Sequence, residues 1–201
     1  MDFDREIYLK EQFNDFWSQM LGEKKDYFSH MAGEDMHLLK AALSNINNII
    51  TYNATIGFVE YISRQFDIDE KEKEKLLSLV KSSKPNDNGY DIEYIGTVSI
   101  VAEIKCNRPI NGKNRFGAAQ KNGITKDIRA LLDGKSKSAL TKVQMTDFYK
   151  FMVIYRFDDK TDEAVENYIK NLPVDLAGRV VLGNTTTELT KNKVFVVLHE
   201  L

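Results

Sequence analysis

The chain has 201 residues, 42% of them hydrophobic and 29% charged, with a formal net charge of −2. That composition belongs to a globular fold with a real core, and no apolar run approaches the roughly 18 residues needed to span a bilayer. The single cysteine, Cys106, excludes an internal disulfide and a cysteine-based zinc cluster.

The start, MDFDREIYLKEQF, is acidic and amphipathic, unlike a secretory signal or transit peptide. The expected location is the cytoplasm, without membrane attachment. In residues 4–21, Ile7, Phe13, Phe16, Trp17 and Met20 recur at helical spacing, and Gly22 marks a break. From about Asp35 to Phe66 the apolar pattern predicts one long helix or two. Thr51–Thr55 is the expected bend, because β-branched residues and Asn are poorer helix formers. A third helix is signalled by DIDEKEKEKLLSLVKSS, acidic in its first turn and closed by Pro85.

After Pro85 the pattern changes. GYDIEYI and VSIVAEIK read as strands joined at Gly96–Thr97 into a hairpin. CNRPINGKNRFG is a loop, and AAQKNGITKDIRALLDG is a helix ended by Gly134. DFYKFMVIYRF reads as a strand. TDEAVENYIKNL reads as a helix with Thr161 as N-cap, and VFVVLHEL as a final buried strand. The expected organisation is a helical N-terminal part, residues 1–84, packed on an α/β core, residues 85–201. The two together are compatible with one domain.

Charge is unevenly spread. Residues 105–142 hold 10 Lys or Arg and 2 acidic side chains, whereas residues 1–104 hold 11 and 19. Concentrated positive charge suits a polyanionic partner. It follows directly on a hairpin that carries Asp91, Glu93, Glu103 and Lys105 among Ile, Val and Tyr. Side chains two apart on a strand share a face, so Glu103 points with Lys105, and Asp91 with Glu93. With the turn at Gly96–Thr97, Asp91 comes beside Glu103. Two adjacent carboxylates repel unless positive charge lies between them. Mg²⁺ (or Mn²⁺) suits such a pair, with Lys105 as a neighbouring cationic donor, an arrangement fitted to phosphodiester hydrolysis.

Asp91, followed after eleven residues by Glu103-Ile104-Lys105, resembles the Asp…(Glu/Asp)-X-Lys signature of the PD-(D/E)XK nuclease superfamily. The resemblance covers residues 88–157 and extends loosely to the helices upstream. Tyr90 stands where many members have proline. Gln120 matches a glutamine of some branches, whereas Ile124 replaces the tyrosine those branches carry. The resemblance implies a restriction-endonuclease-like mixed sheet flanked by helices. It makes Asp91 and Glu103 metal ligands, the Ile104 backbone carbonyl a further ligand, and Lys105 the catalytic lysine. Glu60, from an upstream helix, and Glu93 are additional metal-ligand candidates.

The implied activity is that of a metal-dependent DNA endonuclease of restriction type, working as a homodimer. Phosphate contacts are expected from Arg108, Lys113, Arg115, Gln120, Lys121, Lys126 and Arg129. The alternatives are a repair or recombination nuclease, a nucleic-acid-binding module without chemistry, and a helical interaction protein whose hairpin is only structural.

Overall fold

In this computed structural model, residues 3–84, 89–110, 114–135, 138, 140, 144–183 and 187–200 are described. The chain is α/β, and its helices and strands follow largely from the periodicities above. They are α1 (Arg5–Leu21), α2 (Gly33–Gln65), α3 (Glu70–Ser82), β1 (Ile92–Tyr94) and β2 (Ile100–Lys105). After these come α4 (Ala118–Asp133), β3 (Tyr149–Tyr155), α5 (Asp159–Lys170), β4 (Val180–Gly183) and β5 (Val194–His199). The strands form one mixed sheet in the order β1-β2-β3-β5-β4. β1 is antiparallel to β2, and every other pairing is parallel.

Strand alternation divides the core into two layers. On β3, Phe151 and Val153 face the second half of α2 and α3, together with Ala102 and Ile104 of β2 and Phe195 of β5. Met152 and Ile154 face the opposite way, with Val101, and pack against α4 and α5. β2 therefore lies between two strands and under helices on both faces, as its continuous apolar character predicts. Only β1 and β4 are edges.

Two compact units divide at residues 46 and 47. The composition change used as a boundary in the sequence lies at 84/85. The difference arises because Phe58, Val59 and Ile62 of α2, and Leu76 and Val80 of α3, are buried with the sheet. In the first unit, Asp4 caps α1 by accepting from the Glu6 and Ile7 N–H groups. Gly22 ends that helix in the left-handed conformation, φ 72°, which glycine adopts without a Cβ penalty. Phe13 packs edge-on against Phe28, with ring centroids 5.8 Å apart. None of residues 3–46 is buried.

The structure differs from the expectations in three elements. α2 is one uninterrupted helix, without a break at Thr51–Thr55. The Thr55 hydroxyl donates to the Thr51 carbonyl at 2.7 Å, and burial of Ala54, Thr55 and Phe58 against the sheet outweighs a propensity cost of a few tenths of a kcal/mol per residue. The N-cap of α5 is Asp158, not Thr161. Thr161 is instead buried inside the helix, with its N–H donating to Asp158 Oδ1 at 3.3 Å. β4 is a strand that the sequence reading passed over, because four residues are too short to establish a period.

Phe151 ties α2 to the sheet by contacting Phe58 and Phe195, with ring centroids 5.3 and 6.1 Å away. Phe151→Ala should cost roughly 3–5 kcal/mol. Leu38→Ala, at a side chain 66% exposed, should stay within about 0.5 kcal/mol. Urea unfolding of both variants checks this, and equal losses would refute the core assignment.

Candidate active site

The hairpin is anchored from outside the sheet. Glu72 of α3 is buried, and its carboxylate accepts from the Thr97 N–H and, at 3.0 Å, from the Tyr94 hydroxyl. Gly96 makes this approach feasible, since a Cβ there would lie 2.0 Å from Glu72 Oε1. The pinned turn sets the register Ile92↔Ala102, so Asp91, one residue before β1, comes level with Glu103. The Ile104 N–H donates to Asp91 Oδ2 at 2.7 Å. This contact holds the aspartate across the strand from the glutamate.

Asp91, Glu103 and Lys105 line one open cleft of about 360 Å³. Its other walls come from Asn48, Thr51 and Tyr52 on α2, from Lys81 and Lys84 at the end of α3, and from Lys135 after α4. Glu103 is 5% exposed. Burial, then the charge of Asp91, pushes its carboxyl up to about 7, although the Lys135 ammonium opposes the shift. Lys135 forms an ion contact with Glu103 Oε1 that lacks the alignment of a hydrogen bond. It also donates to the Gly89 carbonyl at 2.6 Å and lies 4.8 Å above the Tyr90 ring. Burial raises the Asp91 carboxyl as well, against the Ile104 N–H and the two lysines.

Lys105 shares the α4 side of β2 with Glu103 and pairs with Asp127 Oδ2 at 2.6 Å. Burial disfavours its ammonium, but the Asp127 hydrogen bond and the surrounding carboxylates outweigh that, so its pKa is raised. Lys105 is thus held cationic at neutral pH.

The other candidate residues divide clearly. Glu93 lies on β1, where Glu93 Oε2 accepts from the Ser138 hydroxyl at 3.1 Å. Glu60 does not line the cleft; it pairs with Lys73 at 2.8 Å. Arg108 and Arg129 are engaged by Asp158 and Asp175. Gln120 closes the start of α4, accepting from the Gly117 N–H and donating to the Arg108 carbonyl. Arg115, Lys121 and Lys126 are exposed, and Lys113 lies outside the described residues. Sequence reasoning missed Asp127, Lys135, Lys81 and Lys84. Asp127 had one available signal, as one of two acids in the basic stretch.

The donor set has a defined chemistry. Among the described residues, no group of three or more His, Cys, Asp or Glu side chains gathers as a metal site. The cleft offers two adjacent carboxylates, Glu103 buried and Asp91 partly buried. That suits a hard divalent ion completing its shell with backbone carbonyl and water, as Mg²⁺ commonly does.

A raised carboxyl pKa means that the folded chain binds this proton more tightly than the unfolded chain. The Glu103 contribution is therefore fully present below the usual carboxylate range and is lost as pH rises toward about 7. At about 1.4 kcal/mol per pKa unit, wild type should lose a few kcal/mol between pH 5 and pH 8 relative to Glu103→Gln. Urea melts across that range measure the difference, and parallel profiles would show that Glu103 is not desolvated.

Compared with known proteins, the sequence matches no family model, no curated protein matches it, and no solved structure matches the fold. What the cleft does must follow from its own geometry and chemistry.

Proposed function

We propose that the chain is a metal-dependent endonuclease that hydrolyses phosphodiester bonds in DNA. The observation that carries this reading is the convergence of Asp91, Glu103 and Lys105 on one cleft, with the glutamate carboxyl raised to about 7. The order hairpin, helix α4 and parallel strand β3 over residues 92–155 is also the order that the PD-(D/E)XK resemblance implies.

Asp91 and Glu103 are the carboxylate ligands in this proposal, and the Ile104 backbone carbonyl is a further one. Bound Mg²⁺ or Mn²⁺ supplies Lewis acidity and an activated water at neutral pH. The chain's own groups do the rest. The Ile104 N–H orients Asp91, and Asp127 fixes Lys105 beside the reacting phosphate. Lys105, kept protonated, stabilises negative charge as it develops on the phosphoryl oxygens. Lys81 and Lys84 on the rim suit flanking phosphates. Glu60, engaged by Lys73, has no part in this assignment.

A second reading, a nucleic-acid-binding module without chemistry, is favoured by one observation. The ion pairs Lys105–Asp127 and Lys135–Glu103 balance charge within the chain itself. Plasmid nicking in Mg²⁺ separates the two readings. Asp91→Ala and Glu103→Ala should abolish cleavage. Lys105→Ala should slow it by a factor on the order of 10², and Asp127→Asn should slow it less. Salt-sensitive DNA binding with no cleavage in any metal would support the module, and absence of both would eliminate the two readings together.

A restriction-type enzyme needs two sites to cut both strands, and a homodimer provides them. Leu38, Ile46 and Ile49 recur at helical spacing on α2 and are 66%, 49% and 57% exposed, an apolar stripe suited to self-association. Sedimentation equilibrium should give twice the chain mass, and Ile46→Lys should halve it. A wild-type monomer at micromolar concentration would exclude the dimer.

A further inference from the structure

At the opposite end of the parallel strands from the carboxylate cleft, a second cavity of about 190 Å³ is lined by Lys150, Arg179, Lys191 and Asn192, over Leu132 and Met145. The three cations come from the starts of adjacent strands. Lys150 is the second residue of β3, Arg179 immediately precedes β4, and Lys191 lies three residues before β5. They are far apart in sequence. The registers Lys150↔Val194 and Val180↔Val194 bring them to one edge.

The charge here is not balanced within the chain. The other clustered cations of the α/β unit have carboxylate partners, as Lys105, Arg108, Arg129, Lys135 and Arg156 illustrate. Among the described residues, none of Lys150, Arg179 and Lys191 pairs with an acid. No carboxylate among the described residues lines the cavity. Lys150 is 3% exposed, and its ammonium donates to the backbone carbonyls of Phe148 and Lys191. An ammonium has three protons to donate, so one remains. Burial, and then the Arg179 and Lys191 charges, push Lys150 down to about 8, with Asp147 acting in the opposite sense. A buried cation among like charges is a costly arrangement that an anion relieves.

We infer that this cavity is a phosphate-binding site in which Arg179 grips the anion with its fork and Lys150 and Lys191 supply point charges. Guanidinium pairs two oxygens of a phosphate at once, whereas ammonium binds as a single charge. The volume is below the roughly 300–1,000 Å³ of sites that enclose a drug-sized ligand. The cavity therefore takes one phosphate group, with the remainder of the ligand outside. The site is independent of the nuclease reading.

The test is a thermal melt and a titration calorimetry series on the full chain with inorganic phosphate, against sodium chloride at equal ionic strength. Wild type should melt higher in phosphate than in chloride. The double variant Arg179→Gln/Lys191→Gln changes only exposed side chains and should bind phosphate at least tenfold more weakly. Lys160→Gln/Lys170→Gln, at exposed lysines of α5 that line neither cavity, should retain wild-type phosphate binding. An equal response to chloride, retention of binding in the first variant, or its loss in the second would overturn the inference. A short oligonucleotide without terminal phosphates identifies the source. Displacement of phosphate by it assigns the site to a nucleic-acid backbone, and failure to displace assigns it to a phosphate monoester or free phosphate.

Discussion

Desolvation of the Glu103 carboxylate is the constraint around which this fold is arranged. A carboxylate in the middle of a sheet loses its water, and that loss must be offset by positive charge or by protonation. Lys135, reaching back from the end of α4, provides part of the positive charge. Asp91 works the other way and is itself held by the Ile104 N–H. The result is a site whose Glu103 carboxyl stays partly protonated near neutrality, so that a cation entering between the two acids must displace that proton. Structural salt bridges usually place partners where both charges remain satisfied. This one places a second acid beside a buried first.

The sheet topology explains why such a site is tolerated. β2 lies inside the sheet, yet β1 spans only three residues and leaves the end of the hairpin open to the cleft. Ile100, Ala102 and Ile104 hold β2 against α2 and α3, so the strand can devote Glu103 and Lys105 on its other face to charge. The turn is tied to α3 through Glu72, which keeps the register from slipping. A one-residue slip would exchange the faces and bury the apolar set against the charges. Precision at the site thus depends on a contact at the opposite end of the hairpin.

Charge is distributed by strand polarity. Carboxylates gather where β2 ends, and cations without an acidic partner among the described residues gather where β3, β4 and β5 begin. The basic stretch that dominates the sequence contributes less free charge than its composition suggests, because acids from later elements answer several of its members. Asp158 meets Arg108, and Asp175 meets Arg129. Surface pairs of this kind add little stability, but they reduce the local field that a polyanion would experience. The cations on the rim of the cleft, Lys81 and Lys84, come instead from the last turn of α3 and the residues just after it.

Local signals determined a large part of this protein. The apolar runs in VSIVAEIK and FYKFMVIY fixed two inner strands, Gly22 and Gly134 ended their helices, and the spacing of Asp91 from Glu103 across a short turn set those two carboxylates level. These features depend on neighbours within about a dozen residues, so the chain states them directly. The tertiary structure alone decided the rest. It made α2 continuous by burying its β-branched segment, recruited the four residues of β4 to an edge, and matched Lys105 with Asp127 and Lys135 with Glu103. It also drew Glu60 to Lys73 and collected Lys150, Arg179 and Lys191 around one cavity. The physical reason is that Coulomb interactions and desolvation depend on distance and exposure in space, and neither quantity is written in the spacing of residues along a chain.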